Sequence, residues 1–347
     1  MPTPRLLLGC LLAAAVVVPQ GNGQNRVLEI VGTTPVAEEQ VNDFVVPVKA
    51  DATGNLYLRY GLSTNAARPI VKISPTGLKL ATYDISALPV WWRSLIRDFC
   101  IDDGGNLIAL VTKPDHTSHI LTFDASGQLQ SNFEISSAID PFEVAIAGNG
   151  KVLLSGRVNN QGKVSSNQAL DSRPMIVMVN SKGDTDVVPV TGDITPPPRP
   201  AVSTAPPRRD HNYEYALAGS LLTTSSDGNI YLARRGNSGI IFKIGPNGIV
   251  EQRFKVQIPV DYSLEDIKVS GQKIAALLAL NSKDERNRTL QAEILIVDAT
   301  DGTVAATYAL TPGIPLTLAR FEGDSAFTFV GSAPTNATLT IYAVGPK

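Results

Sequence analysis

Short runs of alternating apolar and polar residues, separated by turns rich in Asp, Gly and Asn, dominate this sequence. The clearest copies are residues 51–58 (DATGNLYL), 102–109 (DDGGNLIA) and 225–232 (SSDGNIYL). Alternation over a few residues predicts a half-buried strand, and an Asp/Gly/Asn turn between two such runs is typical of a β-hairpin. We therefore predict a hairpin at each of these places.

Weaker copies of this first phrase occur at residues 147–154, 269–276 and 321–327. A second phrase follows in five of the copies and ends in a glycine, at Gly77, Gly127, Gly183, Gly248 and Gly302. Glycine is favoured at such positions because the turn needs a positive φ. Two hairpins in each copy make a four-stranded unit.

The spacing of the units predicts one architecture. Turn positions 54, 105, 150, 228, 272 and 324 are separated by 51, 45, 78, 44 and 52 residues, so four of the five intervals are close to one length. Six such units, with no convincing helix between them, predict an all-β fold: a six-bladed β-propeller of four-stranded antiparallel blades. The sixth unit lacks a fourth strand after residues 339–344. We expect the strand at residues 26–31 to join this last blade and to close the ring by hydrogen bonds.

The repeat also carries a family resemblance. The phrase D-x-x-G-N-[LI]-Y-[LV], followed by [IV]-x-x-[IVF]-x-x-x-G, resembles the repeat of NHL-type and related six-bladed propellers, including gluconolactonase-like and quinoprotein-like members. The resemblance covers nearly all of residues 24–347 and implies the architecture. It implies no activity, because these turn and core residues are shared by all such families. The metal-binding residues of gluconolactonase-like propellers cannot be matched here position by position.

Residues 1–23 are predicted to be a secretory signal peptide, because Arg5 precedes an apolar run at residues 6–18 and small residues follow. Residues 24–347 would then form a single propeller domain of a secreted or periplasmic protein. Lipidation at Cys10 is the alternative, but most of the apolar run follows Cys10. No other segment approaches the roughly 20 apolar residues of a membrane-spanning helix.

Composition narrows the possible partners. Lys and Arg number 30 against 32 Asp and Glu, a formal charge of −2, and there is no basic block, so nucleic acid is not expected as a partner. Cys100 would be the single cysteine after export, and no internal disulfide is expected. The Pro-rich segment 192–212 predicts an extended surface loop inserted between the third and fourth units. Residues 159–174 predict a second, polar insertion.

Candidate chemistry lies at the start of the inner strands, seven residues before the turn position, where units two, three and five carry acidic residues. In propellers the loops that enter the inner strands gather around the channel mouth, so we expect these carboxylates to face one opening, edged by nearby aromatic and basic side chains. The candidate ligand-binding residues are Asp98, Glu143, Glu265, Asp266, Trp92, Arg93 and Tyr262. The carboxylates could instead be solvated charges or partners of Arg93 and Arg97.

Two functions are compatible with these residues. The favoured one is an exported monomer that binds a protein, peptide or glycan through the loop face and needs no cofactor. The alternative is a metal-assisted hydrolase or lactonase, in which Asp98, Glu143 and Asp266 hold Ca²⁺ or another divalent cation that polarises an ester carbonyl. His116 and His119 could also join Asp98 as metal ligands. Binding is favoured because the sequence contains no hydrolase, zinc-protease, phosphate-loop or dinucleotide motif.

Overall fold

The computed structural model describes residues 26–40, 44–60, 69–91, 93–136, 139–158, 174–188, 220–280, 291–332 and 338–347. They form 24 strands and one short 3-10 helix, Ile85–Ala87. The predicted signal peptide, Trp92, the Pro-rich segment 192–212 and residues 159–173 lie outside the described residues. Within the described ranges, no helix is long and apolar enough to cross a membrane.

The first described strand is β1 (Arg26–Gln40), and β2 to β17 form four separate antiparallel sheets in sequential order. Sheet 1 contains β2 (Phe44–Ala50), β3 (Leu56–Tyr60), β4 (Ile70–Ile73) and β5 (Lys79–Tyr83). Sheet 2 contains β6 (Leu95–Ile101), β7 (Leu107–Thr112), β8 (Ser118–Phe123) and β9 (Leu129–Glu134). Sheet 3 contains β10 (Ile139–Ile146), β11 (Val152–Val158), β12 (Pro174–Val179) and β13 (Thr185–Val187). Sheet 4 contains β14 (Ser220–Thr224), β15 (Ile230–Arg234), β16 (Ile240–Ile244) and β17 (Val250–Lys255).

The remaining strands form one eight-stranded sheet with the order β18-β19-β20-β21-β1-β24-β23-β22. Its later strands are β18 (Tyr262–Ser270), β19 (Lys273–Leu280), β20 (Ala292–Asp298), β21 (Val304–Leu310), β22 (Leu318–Glu322), β23 (Ala326–Ser332) and β24 (Thr338–Pro346). β1 lies in the middle of this sheet. It pairs in parallel with β21 from Arg26 to Leu28 and antiparallel with β24 from Leu28 to Gln40.

Six edge strands of the described sheets contact one another in sequence around a circle. Contacts join β2 to β6, β6 to β10, β10 to β14, β14 to β18, β18 to β22, and β22 back to β2. The four-stranded antiparallel sheets are therefore arranged as a propeller ring, with these strands innermost. Such a ring buries each sheet face against the neighbouring sheet. Between sheets 1 and 2, for example, the rings of Tyr57, Tyr83 and Phe123 pack with 6.0 Å between the centroids of successive rings.

The repeated turn phrase forms the predicted hairpins. The carboxylate of Asp51 accepts hydrogen bonds from the backbone N–H groups of Thr53 (3.0 Å) and Asn55 (2.9 Å) and from the Asn55 amide (2.9 Å). Asp102 binds the backbone N–H and amide of Asn106 in the same way, at 2.7 and 2.8 Å. These Asp and Asn side chains therefore cap turns, because a short polar side chain can bond the backbone of its own turn.

The glycines of the second phrase have two functions. All five have a positive φ, from 79° to 93°. They also approach a neighbouring sheet closely: a Cβ on Gly183 would overlap the backbone carbonyl oxygen of Glu134 on β9, and one on Gly77 would overlap that of Pro35 on β1. A side chain at these positions would therefore separate adjacent sheets.

Substitution of Gly183 tests how much the close approach to β9 adds to the cost of a positive φ. We expect Gly183→Ala to lower the free energy of unfolding by about 3 kcal/mol, because backbone strain of about 1 kcal/mol is joined by the clash with Glu134. Gly150→Ala is the matched control, since Gly150 has φ 79° and a Cβ added to it would meet no atom within 4 Å. It should cost only about 1 kcal/mol. Chemical denaturation measures both, and equal losses would show that the close approach has no energetic importance.

Candidate functional site

A cavity of about 520 Å³ lies at the centre of the ring. It is lined by residues of all six innermost strands, β2, β6, β10, β14, β18 and β22, and of the turns that lead from them to their second strands. The cavity is therefore at the turn end of the channel. The loops that enter the innermost strands, where the sequence predicted the binding face, lie at the opposite end.

Four charged residues of the innermost strands line this cavity: Lys49 on β2, Lys268 on β18, and Arg320 and Glu322 on β22. Arg320 forms an ion pair with Glu322 and donates a hydrogen bond to the carbonyl of Ala52 (3.0 Å). The three cations belong to successive strands around the ring, because β22 contacts both β18 and β2. The turns that follow these strands add the carboxylates of Asp51, Asp102 and Asp103, so the cavity lining carries three cations and four carboxylates.

Three carboxylates, those of Asp98, Glu143 and Asp266, interact with these lysines but do not line the cavity. Asp98 is 3% exposed, and its Oδ2 accepts a hydrogen bond from the backbone N–H of Val144 (2.9 Å). The Nζ of Lys268 is 2.8 Å from the Oδ2 of Asp266. The three carboxylates are thus counter-ions of the two lysines.

Lys49, Lys268 and the three carboxylates, here called the central cluster, shift one another's pKa values. Burial alone would lower the pKa of Lys49, but Asp98, Asp266 and Glu143 outweigh it and raise the pKa above its usual range. Burial, together with the nearby Asp98, raises the pKa of Glu143 well above its usual value. Burial lowers the pKa of Lys268, and the nearby Asp266 offsets part of this decrease. Lys49 is therefore held in its charged form, while Glu143 is biased towards its protonated form.

A β-bulge precedes each of the three carboxylates. The register shifts fall between Ile96 and Asp98 in β6, between Pro141 and Glu143 in β10, and between Leu264 and Asp266 in β18. In β18 the residue left without a partner in β19 is Glu265. Its Oε2 lies 3.8 Å from Nη1 of Arg235. The bulge is the reason that Asp266, and not Glu265, joins Asp98 and Glu143, since a bulge redirects the side chains around it.

The other predicted site residues lie away from the cavity. Arg93 is exposed in the turn before β6, and Tyr262 begins β18 and donates its hydroxyl to Glu293 (3.3 Å). Both are at the loop end of the channel. His119 is buried on β8 with its ring 4.9 Å from that of Trp91, and its Nε2 lies 3.1 Å from the hydroxyl of Thr117. The structure therefore separates these residues from the three carboxylates.

Lys49 and Lys268 belong to the site in the structure but were not predicted from the sequence. Lys49 and Lys268 occupy ordinary polar strand positions, and no motif marks them. The one available signal was position: each lies close to the turn that follows an innermost strand. The predicted acidic opening is in fact a cluster of mixed charge.

A divalent cation held by Asp98, Glu143 and Asp266, the alternative considered above, stays a prediction. Among the described residues, no group of three or more His, Cys, Asp or Glu side chains is placed to hold a metal ion. The ammonium group of Lys49 already provides the positive charge that Asp98, Glu143 and Asp266 attract. We derive no chemical step through a metal at this cluster.

Comparison with known proteins supports the fold. The sequence matches no family model and no curated protein. The structure is similar to that of a protein of unknown function from Dyadobacter fermentans, with a TM-score of 0.52 and 11% identity over 92% of this chain and 99% of that one. Weaker similarities are to virginiamycin B lyase from Staphylococcus aureus (TM-score 0.44, 10% identity, 92% and 99% covered) and to a protein of unknown function from Bacteroides caccae (0.45, 12%, 76% and 80%).

At such low identity the likeness concerns the fold alone. Together with the ring of four-stranded sheets, it defines the class: this chain is an all-β propeller protein. Its innermost strands surround a central cavity lined by charged side chains of both signs.

Proposed function

We propose that this protein is an exported, monomeric, non-catalytic binding protein, built as a closed six-bladed propeller, which holds part of a protein, peptide or glycan ligand in its central cavity. The ligand would enter from the turn end of the channel. Export rests on the signal-peptide pattern of residues 1–23.

Six blades result when the eight-stranded sheet is divided between β21 and β1. One half, β18 to β21, is a four-stranded unit, and β22 to β24 with β1 is the other. Two observations support this division. The innermost strands contact one another in a circle of six, and Gly77 of sheet 1 approaches β1 as Gly183 of sheet 3 approaches β9, the outer strand of sheet 2. β1 thus occupies the position of an outer strand next to sheet 1.

The observation that carries the binding function is the central cavity. Its volume of about 520 Å³ falls within the range of about 300–1,000 Å³ that is usual for ligand sites. Its lining favours binding over covalent catalysis. The described lining residues include no histidine, and burial raises the pKa of the Cys100 thiol far above neutral pH, which disfavours the reactive thiolate.

Blocking the cavity tests this proposal. A panel of sugars, short peptides, carboxylates and phosphate esters would be tested for an increase in melting temperature, because a ligand of the native state stabilises it by mass action. At least one compound should raise the melting temperature of the wild type and fail to do so with Thr223→Trp, in which a large ring replaces a small cavity-lining side chain. The bound compound should be recovered unchanged by mass spectrometry.

Val260→Trp is the control, because Val260 is 92% exposed and precedes β18 at the loop end of the channel. It should keep the full increase. An increase that survives Thr223→Trp would place binding elsewhere. Conversion of the compound, abolished by Thr223→Trp, would make the protein an enzyme and contradict the non-catalytic assignment.

A further inference from the structure

Two carboxylate oxygens in the central cluster have no hydrogen-bond partner among the described residues. They are Oδ1 of Asp98 and Oε2 of Glu143, and both are buried. A buried polar atom without a partner costs free energy, so most such atoms in native proteins are paired. These two oxygens are packed too closely for a water molecule to contact them.

The two side chains occupy equivalent positions on neighbouring innermost strands. Asp98 of β6 and Glu143 of β10 each follow a bulge, and the two strands contact each other. Oδ2 of Asp98 accepts a hydrogen bond from the backbone N–H of Val144 (2.9 Å), the residue next to Glu143. The Asp98 carboxylate therefore crosses from sheet 2 to sheet 3 and lies beside the backbone of Glu143.

One ammonium group is left to compensate these two carboxylates. The charged groups that act on Glu143 are Asp98 on β6, Lys49 on β2, Arg235 after β15 and Asp266 on β18. Asp266 has its own partner, because the Nζ of Lys268 lies 2.8 Å from its Oδ2, and Arg235 lies 3.8 Å from Glu265. Of these groups, Lys49 alone remains for Asp98 and Glu143. The pair therefore carries one negative charge in excess when both members are ionised.

The other strands around Glu143 do not remove this excess. In β11, which pairs with β10, Arg157 is bound by Asp140 (2.8 Å). The neighbouring β14 (Ser220–Thr224) contains no titratable residue. Cys100 of β6 is a neutral thiol, since burial raises its pKa far above neutral pH. A proton can neutralise the excess charge and also join the two oxygens, because it needs no space of its own.

We infer that Asp98 and Glu143 hold one proton between them, as a carboxylic acid hydrogen-bonded to a carboxylate, and that loss of this proton with rising pH weakens the contact between sheets 2 and 3. Two neighbouring carboxylates do not readily ionise together, and such a pair titrates as one unit. The inference concerns the scaffold and does not depend on the ligand proposed above.

The direction of the pH effect follows from the site. Burial, and then the nearby Asp98, raise the pKa of Glu143 well above its usual value. A carboxyl group whose pKa is raised in the folded state contributes stability at low pH, and this contribution is lost as pH rises through the raised pKa. The pair should therefore stabilise the ring most in mildly acidic solution.

Glu143→Gln tests the inference, because an amide can donate the same hydrogen bond to Asp98 at every pH. The melting temperature of the variant, followed by circular dichroism, should equal that of the wild type near pH 5 and exceed it by about 3 °C or more at pH 8. Glu265→Gln is the matched control, since Glu265 is partly exposed and lies outside the central cluster. Its effect should be nearly the same at both pH values.

Infrared difference spectroscopy gives a second measurement that does not depend on unfolding. The wild type near pH 6 should show the carbonyl stretch of a neutral carboxylic acid, and Glu143→Gln should lack it. Asp98→Asn should keep this band but lower the pH at which it disappears by about one unit or more, because a like charge beside Glu143 is removed.

The inference is overturned if the wild type shows no such band near pH 6, or if Glu143→Gln changes the melting temperature equally at pH 5 and pH 8. A band that Asp98→Asn does not shift would show that Glu143 holds its proton without Asp98. Stabilisation of the wild type by Ca²⁺ that Glu143→Gln abolishes would also contradict it, since a metal ion and not a proton would then join the two carboxylates.

Discussion

Replacing Leu28 with alanine should lower the free energy of unfolding by about 3–5 kcal/mol, a large effect for one residue of a strand close to the chain's start. Leu28 is fully buried, and it packs in the core cluster that also contains Tyr308, Phe329 and Tyr342. It pairs with Leu310 in β21 and with Pro346 in β24. Its side chain thus connects both halves of the eight-stranded sheet.

Deletion of residues 26–31 should have a still larger effect, because hydrogen bonds are lost with the side chain. The carbonyl of Leu28 accepts from the N–H of Thr311 (3.2 Å), and that of Val27 accepts from Lys347 (3.3 Å). We expect the melting temperature, followed by circular dichroism, to fall by about 10 °C or more, at roughly 2–4 °C for each kcal/mol.

Val31→Ala is the matched control. Val31 belongs to the same strand but is 68% exposed and lies at a register shift between Ile30 and Gly32. Its replacement should change the free energy of unfolding by less than about 0.5 kcal/mol. An unchanged melting temperature after deletion of residues 26–31 would refute the role of β1 in joining the two halves.

The turn chemistry made much of the fold predictable. Asp51, Asn55 and the five glycines of the second phrase are dictated by local backbone needs, and local needs are visible in sequence. The full length of β1 was not predictable in this way. It extends to Gln40, through Pro35, because this part pairs with β24 alone and a proline is tolerated where no partner needs its N–H.

The candidate site was less predictable because it depends on bulges and turn lengths. Counting back seven residues from the turns reaches Asp98 and Glu143, but in β18 it reaches Glu265, whereas the structure places Asp266 in the cluster. The β18–β19 turn contains two residues, Gly271 and Gln272, so a fixed offset is not transferable to that hairpin. The association of Lys49 with carboxylates from three other strands is a long-range property of ring closure, which no local pattern encodes.

Removal of Lys49 alone should be strongly destabilising. Lys49→Gln removes the cation that Asp98 and Glu143 share, whereas Asp266 keeps its ion pair with Lys268, and an uncompensated buried charge costs about 3–5 kcal/mol. Glu143, whose pKa burial already raises, can escape part of this cost by binding a proton. Its pKa should therefore rise further in the variant, and a raised carboxylate pKa gives stability that is present at low pH and is lost as pH rises through it.

The difference in unfolding free energy between the wild type and Lys49→Gln should accordingly be largest near pH 8 and shrink towards pH 5, as urea denaturation across this range would measure. Lys49→Gln/Asp98→Asn should recover much of the loss at pH 8, because it removes one of the two charges left unpaired. Lys243→Gln, on the third strand of sheet 4, should show a small difference without this pH dependence. A loss for Lys49→Gln that is equal at both pH values would mean that packing of the lysine side chain, and not its charge, holds the centre of the ring together.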